Sequence, residues 1–425
     1  MNILLYTLYF TPDIGPDPLL MSTLAEDLVK LGNKVTVICA FPHYKRNKLP
    51  DNYSWKLFEI ERPSTGYRII RTWVSVPSDE RILKRLLNYL SFMVAGIFAG
   101  LLNGPTQHVL VYTPPPTNGI AGYVVSRIWN ASMTYNVQDI YPDIGIKLGI
   151  FRNKWIIRIS QAIENFLYAK SAAITVISPG FRKNLLAKGV PENKLHLIFN
   201  WVDTAFIKPL PFENSLRKSR NWGNDFILLY AGNIGLSQNL SDVLTMAKYE
   251  ELPGDIRFVI VGEGFGRQKL EQEAINSGLT NVEFADFFPE NQLPLLLASA
   301  NVSLVMMKPE VVNESVPSKV ASIMASGRPI LGVVPTESDT WKIIAESNSG
   351  LCVKPGCFDD FLSAILALYH DRELDAQMGR NGRDWVIKNC DPMQAALKYQ
   401  SIFNSLSEAK RNKKKQSTSP KGDLL

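Results

Sequence analysis

A chain of 425 residues that is 46% hydrophobic and 20% charged, with 26 Pro and 27 Gly, has a globular composition and is too long for one ordinary core, so two large domains are expected. Its net charge of +6 is modest and gathers in a tail where Lys410, Arg411, Lys413, Lys414 and Lys415 crowd together, so the folded part lacks the basic, aromatic-interleaved face of a nucleic-acid binder. Cys39, Cys352, Cys357 and Cys390 show neither Cys-x-x-Cys pairing nor histidines at ligand spacing, which argues against a zinc site or a disulfide framework and for reduced thiols.

The apolar run 3–9 has no basic leader and no small-residue cleavage site, and reads as a first buried strand. It ends in Phe10-Thr-Pro-Asp-Ile-Gly15-Pro, and an amphipathic helix over 19–31 and a strand over 35–40 follow. Strand, glycine turn, helix and strand in this order make a mononucleotide-binding βαβ unit, without the Gly-x-Gly-x-x-Gly of dinucleotide folds. Residues 41–80, which include His43, read as loops plus one strand at 67–73. The uncharged run 86–102 follows Arg81, Lys84 and Arg85; with Asn88 and Ser91 inside it, it lies at the lower limit of spanning length and reads as a core helix or one partly immersed in a bilayer surface.

A strand at 109–113, a helix at 118–129 and a strand at 133–137 lead to Gln138-Asp139-Ile-Tyr-Pro-Asp143, which puts carboxylates at the carboxyl edge of a parallel sheet, where open α/β sheets bind ligands. Asp139 reads either as part of such a site or as a solvated loop residue. A helix at 154–169, a strand at 173–177, a helix ending at Gly189 and a strand at 195–199 close the first half, and 204–224 reads as a linker. The second half repeats the scheme. Strands at 226–230, 256–261, 282–284, 302–306, 332–334 and 350–353 alternate with helices at 240–248, 267–278, 293–299, 361–369 and 376–388. Glycine loops Gly232-Asn-Ile-Gly235 and Gly262-Glu-Gly264 follow two of those strands.

The stretch 314–329 reads as a loop feeding a short helix, with Pro317 and Ser318 at its start, Val320, Ile323 and Met324 on its apolar side, and Gly327 and Pro329 as its stop. That placement offers Lys319 and free amides to a phosphate or diphosphate, or else leaves a lysine facing water on a buried helix.

Tyr230-Ala-Gly-Asn-Ile-Gly, Val261-Gly-Glu-Gly, Met324-Ala-Ser-Gly-Arg-Pro, Asn200-Trp-Val-Asp203, Asn136-Val-Gln-Asp-Ile-Tyr-Pro-Asp143 and Val316-Pro-Ser-Lys319, in their order along the chain, resemble the family 4 glycosyltransferases. Within that family, Asn136-Val-Gln-Asp-Ile-Tyr-Pro-Asp143 and Val316-Pro-Ser-Lys319 resemble the subgroup that adds deoxy- or amino-sugars during bacterial exopolysaccharide, O-antigen and colanic-acid assembly. The resemblance covers residues 1–408 and implies an α/β protein of the GT-B fold, two Rossmann-like doubly wound parallel-sheet domains facing a cleft. It places an acceptor-side domain at 1–203, a linker at 204–224, a nucleotide-sugar domain at 225–390 and a helix at 391–408 returning to the first domain, and the charge run beyond it reads as a basic, disordered tail at 409–425.

The resemblance also implies a retaining, hexosyl-type glycosyltransferase of cell-surface polysaccharide biosynthesis, with a nucleotide-diphosphate sugar as donor and a saccharide or polyprenyl-linked acceptor. No cofactor and no metal are expected. Lys319 and Glu314 are the expected catalytic residues; Gly232, Asn233, Gly235, Gln238, Gly262, Gly264, Pro317, Ser318 and Ser322 are expected around the donor, and Gly15, His43 and Asp139 on the acceptor side. The sequence departs from the family where the second glutamate of Glu-x7-Glu is Ser322 and where Asn233 and Gln238 stand for a basic pair. Alternatives are a nucleotide-sugar 2-epimerase of the same architecture and a non-catalytic subunit of a polysaccharide assembly complex. A cytoplasmic location, peripheral to the inner face of the membrane through 81–102 and 410–415, completes the expectation.

Overall fold

The computed structural model describes residues 1–425 apart from 14, 44–52, 54–55, 78–81, 236, 313–316 and 419–425. The first domain runs through β1 (Asn2–Tyr6), α1 (Pro16–Lys30), β2 (Lys34–Ala40), β3 (Phe58–Glu61), β4 (Arg68–Thr72), α2 (Ile82–Asn103) and β5 (His108–Thr113). It continues through α3 (Thr117–Ile128), β6 (Ser132–Val137), α4 (Asp143–Lys147), α5 (Lys154–Lys170), β7 (Ala173–Val176), α6 (Pro179–Ala187) and β8 (Leu195–Leu197). Its strands lie in the order β3-β4-β2-β1-β5-β6-β7-β8, parallel throughout except for the edge pair β3–β4. Helices cover both faces, so β5, β6 and β7 are buried at every position and carry apolar runs in place of alternation.

After α7 (Ser215–Ser219) the second domain runs through β9 (Phe226–Ala231), α8 (Ser241–Met246), β10 (Ile256–Val261), α9 (Arg267–Asn276), β11 (Val282–Ala285), α10 (Leu293–Ser299) and β12 (Val302–Met306). Then come α11 (Lys319–Ala325), β13 (Ile330–Val333), α12 (Asp339–Glu346), β14 (Gly350–Val353), α13 (Phe358–His370), α14 (Arg372–Asn389) and α15 (Pro392–Thr418). Its six strands, β11-β10-β9-β12-β13-β14, are all parallel.

Three features tie the two halves together. Leu148 and Phe199 of the first domain pack against the core of the second, and Val202 N donates to Cys390 O at 3.1 Å. Gly180 N, in the first turn of α6, donates to Asp339 Oδ2 at 2.7 Å. Finally, α15 crosses back and lies along α1, where Ala395, Ala396, Tyr399, Ile402 and Phe403 join the core formed with Ile3, Leu24 and Val37. Tyr399 Oη accepts from Asn136 Nδ2 at 2.9 Å, and Asn33 Nδ2 donates to Gln400 Oε1 at 2.6 Å.

The run 86–102 lies inside α2, which is long and apolar enough to cross a membrane but has one side sewn to its own domain. Its polar positions face inward: Asn88 Nδ2 donates to Ser75 O at 3.0 Å, and Ser91 Oγ accepts from Ser75 N at 2.9 Å. Gly96 and Gly100 form a notch for Tyr6, whose hydroxyl donates to Gly96 O, and a Cβ at Gly100 would stand 2.5 Å from Val125. Phe92 is fully buried, whereas Phe98 is 56% exposed. Four of these elements were not foreseen: β3 within 41–80, α4 directly after Pro142, α7 within the expected linker, and α12, whose start is signalled by the N-cap Ser338, accepting from Trp341 N at 3.1 Å.

Candidate functional site

In each sheet the strand order reverses between two neighbours, β1 and β5 in the first domain and β9 and β12 in the second, and such reversals open a crevice at the carboxyl ends of the strands. The loops after β9 and β12 meet at the second crevice, where Lys308 N donates to Ser237 O at 2.9 Å.

Lys319 is the first residue of α11 and is partly buried, with its nitrogen wholly out of solvent. The nitrogen lies 3.5 Å from the centroid of the Tyr230 ring and has no hydrogen-bond acceptor among the described residues. A cation over an aromatic face keeps part of the attraction it loses with water. Burial nevertheless brings its pKa down to about 7, because the charged form is the one desolvation penalises. Gly232 leaves the room: its φ is +147°, and a Cβ there would stand 2.7 Å from Lys319 Nζ.

The two glycine loops lie side by side. Ile234 N donates to Glu263 O at 2.8 Å, and Gly266 N to Ile234 O at 3.0 Å. A Cβ at Gly262 would fall 1.8 Å from Gly232 O and one at Gly264 2.4 Å from Ile234 O, so backbone contact between the loops by itself requires both glycines. Three of the four amides from Gly232 to Gly235 already have acceptors. Gly232 N is taken by Val261 O at 2.9 Å and Gly235 N by Gln238 Oε1 at 3.1 Å, which leaves the Asn233 amide as the one without an internal acceptor among the described residues of that loop. Asn233 itself is fixed through its carbonyl, which accepts from Tyr230 Oη at 2.6 Å.

Ser318 caps α11 by position only, since its side chain accepts no amide, and Pro317 precedes it, accepting from Val320 N at 3.2 Å. Ser322 stands one turn beyond Lys319 and is half-buried. Gly327, at φ +69°, ends the helix in the left-handed conformation read from the sequence. Glu314 lies outside the described residues.

At the first domain's crevice Gly15 precedes α1 with a φ of +152°, which only glycine adopts freely. Asp17, in the first turn of α1, accepts from Tyr112 Oη at 2.7 Å, and burial raises its pKa above the usual carboxylate value. Asp139, at the end of β6, lies near enough to raise the pKa of Tyr112 and Tyr141. Asp17 and Asp139 thus flank Tyr112. The sequence reading missed Asp17, though its place after Gly15-Pro16 was a signal. His43 turns out to be a buried fastener: its Nδ1 lies 2.7 Å from Phe41 O and its Nε2 3.0 Å from Asn88 Nδ2. Those partners specify a neutral ring protonated at Nδ1, and burial lowers its pKa.

Two family models match the chain, a glycosyl transferase 4-like domain over residues 21–201 and glycosyl transferases group 1 over residues 212–385. This is a family 4 glycosyltransferase of the GT-B fold. A relative named for colanic acid biosynthesis, the glycosyl transferase WcaI of Escherichia coli K12, is 27% identical over 77% of this glycosyltransferase and 82% of its own length. WbjE of Pseudomonas aeruginosa is 23% identical over 59% of this chain and 61% of its own. Among solved structures, sucrose-phosphate synthase from Thermosynechococcus elongatus superposes with a TM-score of 0.77 at 17% identity, covering 96% of this chain and 99% of that one. Anabaena Alr3699/HepE in complex with UDP superposes at 0.69 and 16% identity, over 96% and 100%. These two likenesses concern the fold.

Proposed function

We propose that this glycosyltransferase transfers a sugar, with retention, from a nucleotide-diphosphate sugar held at the β9/β12 crevice to a saccharide or polyprenyl-linked acceptor at the β1/β5 crevice. The observation that carries the reading is the Lys319 ammonium, desolvated and without an oxygen partner among the described residues, beside the glycine loop that follows β9. An ammonium held this way gains most from the charge that grows on a departing diphosphate, and it needs no reorganisation to meet it. The Asn233 amide supplies a second donor. Neighbours crystallised with UDP and UDP-glucose support the donor class. Lys319 and Asn233 fit a leaving group neutralised by protein charge, so the reading needs no metal. Glu314 is proposed to orient hydroxyls of the donor sugar, and Asp17 and Asp139 those of the acceptor.

The product is proposed to be a cell-surface polysaccharide made at the cytoplasmic face of the membrane, with α2 lying on the bilayer and the basic residues 410–415 assisting. Calorimetric titration with UDP, GDP and dTDP, followed by transfer assays on Lys319→Ala, tests the reading. Lys319→Ala should lose on the order of 10²-fold in turnover. Undiminished transfer overturns the assignment, and no binding of any nucleotide by the wild type favours a non-catalytic subunit.

A further inference from the structure

We propose that α5 forms a second membrane-contacting limb beside α2, so that the first domain docks on an anionic bilayer through a face two helices wide. This rests on the reading of α2 as a membrane-lying helix and extends it to a segment of different sequence.

The topology puts both helices on one side of the sheet. The chain passes from β4 to β5, from β5 to β6 and from β6 to β7 in one direction across the strand order, and right-handed crossovers then lay α2, α3 and α5 on the same face. Contacts agree, with α3 as the middle helix. Trp129, just past its end, donates through Nε1 to Gly100 O of α2 at 3.0 Å, and Tyr123 packs edge-on against Phe166 of α5 with centroids 5.0 Å apart.

Each outer helix turns a large apolar row to solvent. On α2, Leu83, Leu87, Leu90, Val94, Phe98 and Leu102 recur at three- and four-residue spacing, all of them exposed. On α5, Trp155 is 71% exposed and Ile159 59%, with Ile156 and Phe166 also exposed. Apart from Phe166, which leans on Tyr123, core packing accounts for none of these side chains.

Charge selects the occupant. Between residues 82 and 170 the chain carries eight Lys and Arg against three carboxylates. Two of the three, Asp143 and Glu164, are ion-paired to Lys188 at 3.0 and 2.7 Å, and the third, Asp139, belongs to the crevice. Arg152, Lys154 and Arg158 therefore stand among the exposed apolar groups of the α5 region with no acid beside them in sequence, and Arg158 lies 5.9 Å from the Trp155 ring. Apolar side chains ringed by cations, with an indole among them, match the boundary between acyl chains and anionic headgroups. A protein partner would meet this same face with acids, and a second copy of this chain has none to offer there.

The test uses the full chain, vesicles of mixed phosphatidylglycerol and phosphatidylcholine against phosphatidylcholine alone, and low against high salt. Wild type should pellet with anionic vesicles at low salt. Arg152→Glu/Lys154→Glu/Arg158→Glu should lower the partition coefficient by on the order of 10²-fold or more, each surface cation counting about fivefold. The vesicle-induced change in tryptophan emission, and its quenching by brominated acyl chains, should be largely lost in Trp155→Phe. If the triple variant partitions like wild type and Trp155→Phe leaves the emission change intact while Leu87→Asp/Phe98→Asp stays in the supernatant, α5 is not a limb and the reading of α2 stands. If wild type itself stays in the supernatant, both fail. A dimer in sedimentation velocity without vesicles, dissociated by the same triple variant, would give the face to a second copy and overturn the proposal.

Discussion

Burial without an acceptor disfavours an ammonium, so the free glycosyltransferase holds Lys319 charged below about pH 7 and increasingly neutral above it. A bound diphosphate restores the charged form. The apparent affinity for donor should therefore fall as pH rises through about 7, while turnover at saturating donor changes less; equal decline of both would show that another group titrates. The sign for stability is opposite. The unfolded chain keeps this proton up to the ordinary lysine value of 10.5, so between about 7 and 10.5 the folded state binds fewer protons and stability rises with pH on this account. Lys319→Ala should accordingly melt no lower than wild type at neutral pH, and a clear drop would mean that the side chain supports the fold. Gly232→Ala should act on the same group from the other side, since its methyl would meet Nζ at 2.7 Å; a loss of donor binding is expected, read by titration with UDP, and unaltered binding would remove Gly232 from the site. Lys319 was legible in the sequence because a lysine at a helix start after Pro-Ser is a local pattern. Its platform was not, because Tyr230 lies 89 positions away and only the parallel pairing around β9 brings the ring beneath the ammonium. At Gly262 and Gly264 the structure supplies a reason for glycine that the sequence could not show. A glycine demanded by a ligand and one demanded by a neighbouring backbone look identical in sequence, and only the 1.8 and 2.4 Å approaches distinguish them.

Among the elements, strands buried on both faces were the most readable, and β10 and β12 have the bounds read from their apolar runs. Short polar-flanked elements were not: α12 depends on Ser338 and on a partner helix that no local pattern reveals. The case of α2 is intermediate. Its apolar run marks it as a helix, but an apolar run does not say which side is inside. Sequence reasoning would place Phe92 and Phe98 together as surface anchors; the structure separates them, with Phe92 against the sheet and Phe98 toward solvent. Phe92→Ala should cost about 3–5 kcal/mol in denaturant unfolding, the range for a large aromatic removed from a core. Phe98→Ala should stay within about 0.5 kcal/mol, as surface substitutions do. Equal losses would mean that the two faces of α2 are not distinguished in solution.

At the scale of the whole molecule, the contacts that unite the two domains come from the end of the chain as much as from the cleft. α15 supplies Tyr399, Ile402 and Phe403 to the core of the first domain, and Tyr399 also holds Asn136 on β6, close to the end that carries Asp139. Burying one such side chain stabilises by about 1.5–3 kcal/mol, so the three together contribute on the order of 5 kcal/mol. That is comparable to the whole stability of an ordinary domain. A chain ending at residue 390 should therefore lose the first domain, although the missing segment follows the last helix of the second. Unfolding followed through hydrogen exchange is the measurement. Amides of β1, β5 and β6 should lose protection while those of β9, β10 and β12 keep most of theirs, because the second core, formed around Ile227, Val259 and Val305, takes nothing from α15. Protection retained in β1 and β6 would show that the first domain closes its core without the returning helix.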